Sequence, residues 1–352
     1  MPRLPPELLL HVFRFAPLDV LLVLRRVSKL TCTLSTPIAF RVIRCITTVP
    51  SMKALKALLA QPNIAEHVQE IDFHEELPIH HEREWLANHV QESLAGLNTL
   101  PALRTLSYNY HPYLGRQYTN FYGFTTERLW SHQIQVSAIR PLFNTSTPYR
   151  NLHTLRINNI IRFSVDPPAE HFVGLRELCL SVARTTRYEN DDMMATVRAV
   201  HIPRLLQSAD ATTLTSLTLH QLNDIRVPPG IALSRVRFPH LARLTLQHAF
   251  YGANTGPEPF IVAHAASLVH VELHLCKILF NQNMKAPTRT WADVYGAFRE
   301  KLVRLRQLKV TGNGAQYAHW DEEDEVWVYW RDPEYSDRDA KSLKQLMDVM
   351  AR

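Results

Sequence analysis

Eighteen histidines are spread over this chain of 352 residues, so metal binding is the first chemistry to weigh. His74, His80, His81 and His89 fall close together, but Trp85 stands where a His-Glu-x-x-His zinc helix beginning at His81-Glu82 needs its second histidine. They are read as surface histidines, and no metal is expected. Gly312-Asn313-Gly314 follows a strand-like run without the Gly-Lys-Ser/Thr ending with which a phosphate loop holds its nucleotide. No Gly-x-Ser-x-Gly elbow is present to expose a nucleophilic serine. Cys32, Cys45, Cys179 and Cys276 share no close spacing, so they are expected as reduced, mostly buried thiols. No catalytic residue and no cofactor is expected, and the chain is read as a non-enzyme.

Composition agrees with that reading. Apolar residues make up 46% and charged residues 20%, enough to build a core. Only 10 residues are glycine, few for a fold that wraps phosphate in glycine loops. His11 and Arg14 interrupt the first apolar stretch, so no signal peptide is expected, and no apolar run approaches the length of a membrane span. Asn144-Thr145-Ser146 fits a glycosylation sequon that would be inert without export. The expected location is cytoplasmic and/or nuclear. The net charge of +6 is uneven: residues 1–50 hold seven Lys/Arg against two Asp/Glu, and residues 321–352 hold five against ten. No basic stripe interleaved with aromatics appears, so nucleic acid is not the expected partner.

The elements that would position a site begin at the N-terminus. Pro5 and Pro6 suit a first helical turn and Glu7 complements its positive end, with Leu8, Leu9, Val12 and Phe13 at helical spacing. Pro17 ends that helix. A second carries Val20, Leu21, Leu24 and Val27, and a third runs from Ser28 and stops before Pro37. Three short helices with apolar residues on more than one face cannot complete their own burial. A docking module is expected, its apolar face flanked by Arg14, Arg25, Arg26 and Lys29.

The order Leu4-Pro5-x-Glu7-Leu8-Leu9, Val12-Phe13, Leu21, Leu24, Val27-Ser28-Lys29 and Phe40 before Arg41-Val42-Ile43 resembles an F-box. Thr31 and Phe40 stand where many members carry tryptophan. The resemblance implies docking on the Skp-type adaptor of an SCF (cullin–RING) ubiquitin ligase. Leu4, Pro5, Leu8, Leu9, Val12, Phe13, Leu21, Leu24 and Val27 would then be the adaptor-facing and adjoining core positions.

After residue 50 a triplet recurs: apolar, two residues, apolar, one residue, apolar. It starts at Val68, Leu103, Leu152, Leu175, Leu214, Leu241, Leu268 and Leu305, and its last two positions alternate as in a strand with one buried face. Helical stretches lie between, such as the stripe Leu86, Val90, Leu94 and Leu97. The triplet resembles the leucine-rich repeat, although its spacing runs from 23 to 49 residues where about 20–29 is usual. The expected fold is an α/β solenoid: a three-helix F-box at 1–46, an irregular leucine-rich-repeat horseshoe at 47–320, and an acidic and aromatic cap at 321–352. A doubly wound sheet is the structural alternative.

The residues between the triplet's apolar positions, Arg156 and Arg243 among them, would line the exposed strand face and suit a polar or acidic protein segment. The interval 109–151 carries Tyr110, Tyr113, Tyr118, Tyr122 and Trp130, residue types common in binding hot spots, which are either substrate-facing or folded onto the array. The expected function is substrate recognition for an SCF-type ligase, with the adaptor, the cullin–RING ligase and a protein substrate as partners. A non-catalytic repeat scaffold or a nucleic-acid-associated protein is the competing class.

Overall fold

The computed structural model describes residues 4–76, 83–111, 126–143, 148–161, 171–182, 201–209, 212–220, 233, 236–251, 257–280, 287, 289–312, 316–321, 326–330 and 333–351. It opens with three short helices, α1 (Pro6–Phe13), α2 (Leu18–Leu24) and α3 (Lys29–Ala39). Proline precedes or opens each of the first two, where a missing N–H costs little. Ser28 and Thr31 form a reciprocal capping box at α3, and Thr31 Oγ1 also donates to Leu24 O (2.7 Å), tying α3 to the end of α2. The sequence predicts that this helix stops before Pro37; it runs through to Ala39. Pro37 lies in the last turn, where the bond it removes is one of the few left before the end. Phe13, Leu21 and Ala39 form a small core of their own, with Leu9, Leu24 and Phe40 packed against it.

Residues 42–46, a strand-like run at the end of the expected 1–46 segment, enter a sheet as its first strand. Nine strands form this sheet: β1 (Val42–Ile46), β2 (Glu70–His74), β3 (Thr105–Asn109), β4 (Thr154–Ile160), β5 (Glu177–Val182), β6 (Ser216–His220), β7 (Arg243–Gln247), β9 (His270–His274) and β11 (Gln307–Thr311). All pairs are parallel and the strands lie in chain order. A second sheet, in the order β13-β12-β10-β8, joins β8 (Phe250–Tyr251), β10 (Lys277–Leu279), β12 (Gln316–Asp321) and β13 (Val326–Trp330).

The helices that follow are α4 (Val49–Leu59), α5 (Pro62–Ala65), α6 (Arg83–Leu94), α7 (Thr126–Phe143), α8 (Ile202–Ser208), α9 (Glu258–Ala263), α10 (Trp291–Lys301) and α11 (Pro333–Met350). Their buried side chains, such as Met52, Leu86, Ile134 and Phe298, join one continuous core with Ile71, Leu106, Leu155, Leu178, Leu217 and Leu244 of the strands. Alternation along each strand sends these apolar residues to the helical side and leaves Thr, Ser, Arg, Glu and His on the other.

The expected F-box-plus-leucine-rich-repeat horseshoe is corrected by this architecture. The chain folds as an α/β protein around one open nine-stranded parallel sheet flanked by helices, with a smaller mixed sheet beside it. The reason is physical: the recurring triplet reports a strand buried on one face, which any helix-covered parallel sheet also requires. It fixes neither period nor curvature, and the intervals hold helices as different as the 12 residues of α6 and the 18 of α7. α7 itself occupies much of the interval 109–151. Its Gln135 Nε2 donates to Asn159 O (2.9 Å), and its Oε1 accepts from Ile161 N (2.9 Å), where β4 bulges.

The C-terminal helix is anchored by one carboxyl. Asp339 of α11 is 3% exposed; its Oδ1 accepts from Ala292 N and its Oδ2 from Tyr317 Oη, both at 2.7 Å. Tyr317 Oη in turn accepts from Trp291 N (3.0 Å), so one network holds the amino end of α10, β12 and α11 together. Asp339→Ala leaves two buried donors unpaired and is expected to cost about 2–3 kcal/mol in urea unfolding. Burial raises the pKa of Asp339 above the ordinary carboxylate value, more than the bonds from Tyr317 and Ala292 lower it. A raised folded-state pKa contributes stability that is full below the unfolded pKa and lost as pH rises through the folded value. The stability advantage of the wild type over Asp339→Asn is therefore expected to shrink as pH rises above the ordinary carboxylate value and through the raised folded one.

Candidate functional site

The three N-terminal helices place more apolar surface outside than inside. Against the buried Phe13, Leu21 and Ala39 stand Leu4, Leu8, Val12, Phe15, Leu18, Val20, Leu22, Val23, Val27 and Leu30, all exposed. Val12, Phe15, Val23 and Val27 are 57%, 79%, 62% and 66% exposed. Helix geometry makes this unavoidable, because Leu21-Leu22-Val23-Leu24 advances about 100° per residue and one small core can take only part of that circle. Arg14, Arg26 and Lys29 are exposed at its margin. Arg25 is engaged within the module: its Nε donates to Thr36 Oγ1 (3.0 Å), and its guanidinium lies over the Phe40 ring.

This sorts the nine residues named from sequence. Leu4, Pro5, Leu8, Val12 and Val27 are exposed; Phe13 and Leu21 are core; Leu9 and Leu24 are half-buried against that core. Phe15, Leu18, Leu22, Val23 and Leu30 belong to the exposed set and were missed. The signal that could have found them is the run of consecutive apolar residues, more than one helical stripe can bury.

The polar face of the sheet is a set of short networks. Asp72 accepts from Arg44 Nε (3.1 Å), from Asn109 Nδ2 (2.7 Å) and lies 2.8 Å from His74 Nε2; Asn158 Nδ2 continues the row to Asn109 Oδ1. Arg156 pairs with Glu177 at 3.2 Å. Glu272 sits between His270 and His274 at 2.8 and 2.7 Å, with Lys309 at 3.8 Å, and the histidine bonds hold its pKa below the usual carboxylate value.

At the carboxyl ends of β6, β7, β9 and β11 lies a cavity of about 430 Å³, lined by His220, Thr245, Gln247, His274, Leu275, Thr311 and Gly312. Leu275 and Gly312 follow their strands in left-handed conformations (φ 51° and 112°), turning the chain off the sheet. A side chain at Gly312 would also meet Leu275 Cδ2 at 2.7 Å, which accounts for glycine there. Burial, then His274, lowers the pKa of His220. The cavity can therefore hydrogen-bond a neutral polar group.

The remaining predicted residues divide. Tyr110 is buried at 1% exposure and stacks on Tyr108, a core position and not a surface one, because it follows β3 on the side covered by helices. Tyr113, Tyr118 and Tyr122 lie outside the described residues. Trp130 falls within α7, with its side chain outside the description. Arg156 is held by Glu177, whereas Arg243 at the start of β7 is exposed with no ion pair among the described residues. Of the clustered histidines, His74 joins the Asp72 network, His89 lies in α6, and His80 and His81 are outside the described residues.

Burial pushes the Cys45 and Cys276 thiols up to about 12 and the Cys179 thiol to about 11, so these three stay protonated at neutral pH. Among the described residues no group of three or more His, Cys, Asp or Glu is arranged to hold a metal ion, and no helix is long and apolar enough to cross a membrane. No family model matches the chain, and no curated protein matches it.

Proposed function

We propose that this protein is a non-catalytic substrate-recognition adaptor of an SCF-type ubiquitin ligase. Its α1–α3 module docks on the Skp-type adaptor, and its sheet presents a protein substrate. What supports this reading is a single observation: the module turns ten large apolar side chains to solvent while burying three apolar residues of its own. Monomeric proteins rarely leave so dense an apolar face uncovered, and such faces mark interaction sites. The order of residues resembling an F-box supplies the partner's identity. The basic margin of Arg14, Arg26 and Lys29 favours a partner with an acidic rim, which speeds encounter and fixes orientation.

The mechanism is proximity. Holding a substrate beside a charged ubiquitin-conjugating enzyme raises the effective concentration of its lysines with no bond made or broken by this chain. The test is co-purification of the full chain with a recombinant Skp-type adaptor. A 1:1 complex that survives gel filtration is expected, and two separately eluting proteins would overturn the reading.

A further inference from the structure

The structure separates the charges of the strand region into those that neutralise one another and those that do not. On the polar face Arg44, Arg156 and Lys309 are each matched by Asp72, Glu177 and Glu272. The residues just before the strands, at the amino edge of the sheet, are different. Arg104, His153 and Arg176 stand side by side on three neighbouring strands, with His153 N donating to Arg104 O and Arg176 N to His153 O, both at 2.8 Å.

Arg104 and Arg176 are exposed, and neither side chain has an ion pair or hydrogen bond among the described residues. Arg41 and Arg306 hold the same edge position before β1 and β11, apart from this group, and Arg304 Nη1, two residues before Arg306, donates to Ala266 O (3.0 Å). Glu70, at the first position of β2, makes no bond to the pair. Burial, then the charges of Arg176 and Arg104, lowers the pKa of His153 between them.

We propose that this amino edge, at Arg104, His153 and Arg176, takes an acidic segment of a partner protein. Charge complementarity selects the occupant: two arginines separated by one strand, about 9.6 Å apart at the backbone, match carboxylates laid across the sheet with the neutral His153 between them. A single-stranded nucleic acid would also want aromatic platforms beside the cations. The exposed aromatics among the described residues, Phe15 and Trp85, lie on α1–α2 and α6, away from this row. The inference rests on the adaptor reading only in naming the captured substrate as the source of the segment. Binding of the segment itself does not need the ligase.

The experiment is fluorescence anisotropy of the full chain with a fluorescein-labelled decapeptide of alternating Glu and Gly at low salt. Arg104→Gln with Arg176→Gln is expected to weaken binding about tenfold. Arg44→Gln with Lys309→Gln, which removes the same charge from paired positions, should change it less than about twofold. The Gln-Gly counterpart of the peptide should not bind, and circular dichroism should show both double variants folded. Equal weakening by the two doubles would mean a general charge effect and overturn the site, as would no binding of the Glu-Gly peptide by the wild type. An oligothymidylate bound more tightly than the peptide and released by the edge double would also overturn it, in favour of nucleic acid. Peptide binding retained in a protein that fails to capture the adaptor would count against the docking reading alone.

Discussion

Leu8→Asp combined with Val12→Asp is expected to weaken capture by the Skp-type adaptor about 100-fold or more, with the fold unchanged. Both side chains are more than half exposed in the free chain, so a carboxylate there meets water and costs the folded state little. In the complex the same carboxylates would be taken into an apolar interface without a partner, which costs several kcal/mol. Capture on immobilised adaptor, with thermal unfolding as the check on folding, makes the comparison. Unchanged capture by a folded double variant would move the interface off this face. Phe13 is unsuitable for this purpose because it is core, and an acid there would remove the module along with its surface.

Phe13→Ala is expected to release α1–α3 while leaving the sheet intact. Phe13, Leu21 and Ala39 make a core separate from the continuous one that joins strands and helices. Truncating a buried phenylalanine costs about 3–5 kcal/mol, as much as a unit this small can hold in total. Hydrogen exchange reads the two cores independently. Amides of α1–α3 should lose their protection, and those of β3 to β7 should keep theirs. Equal loss in both would show that the helices and the sheet unfold as one unit, and the separate-module account would fall.

How much of this could be read from the chain depends on which residues are asked. The triplet at Leu214-Leu217-Leu219 marks β6 because two alternating apolar residues on one face are a local property of a strand, and both are fully buried. The same holds for Leu244 and Leu246 of β7. The arrangement of the strands is a property of everything between them, which is why a repeat horseshoe was expected and an open helix-flanked sheet was found. In the second sheet the alternating aromatics of β13 mark a strand, whereas β8 and β10, two and three residues long, are too short to show alternation.

At the site, the spacing of Leu8, Val12 and Phe13 showed an apolar helix but not which residue faced inward, since that depends on how α1 meets α3. The pairing of Arg156 with Glu177 was hidden for a similar reason. The two lie 21 positions apart and meet only through the register of β4 on β5. Arg104 and Arg176 look no different from Arg156 in the sequence, and only that register shows them unmatched.

The most direct measurement of the central claim is hydrogen–deuterium exchange of the full chain with and without a Skp-type adaptor. Protection confined to α1–α3, strongest around Leu8, Val12 and Val23–Val27, is the result this account predicts. Protection that appears on the polar strand face instead, with α1–α3 exchanging as in the free chain, would contradict it.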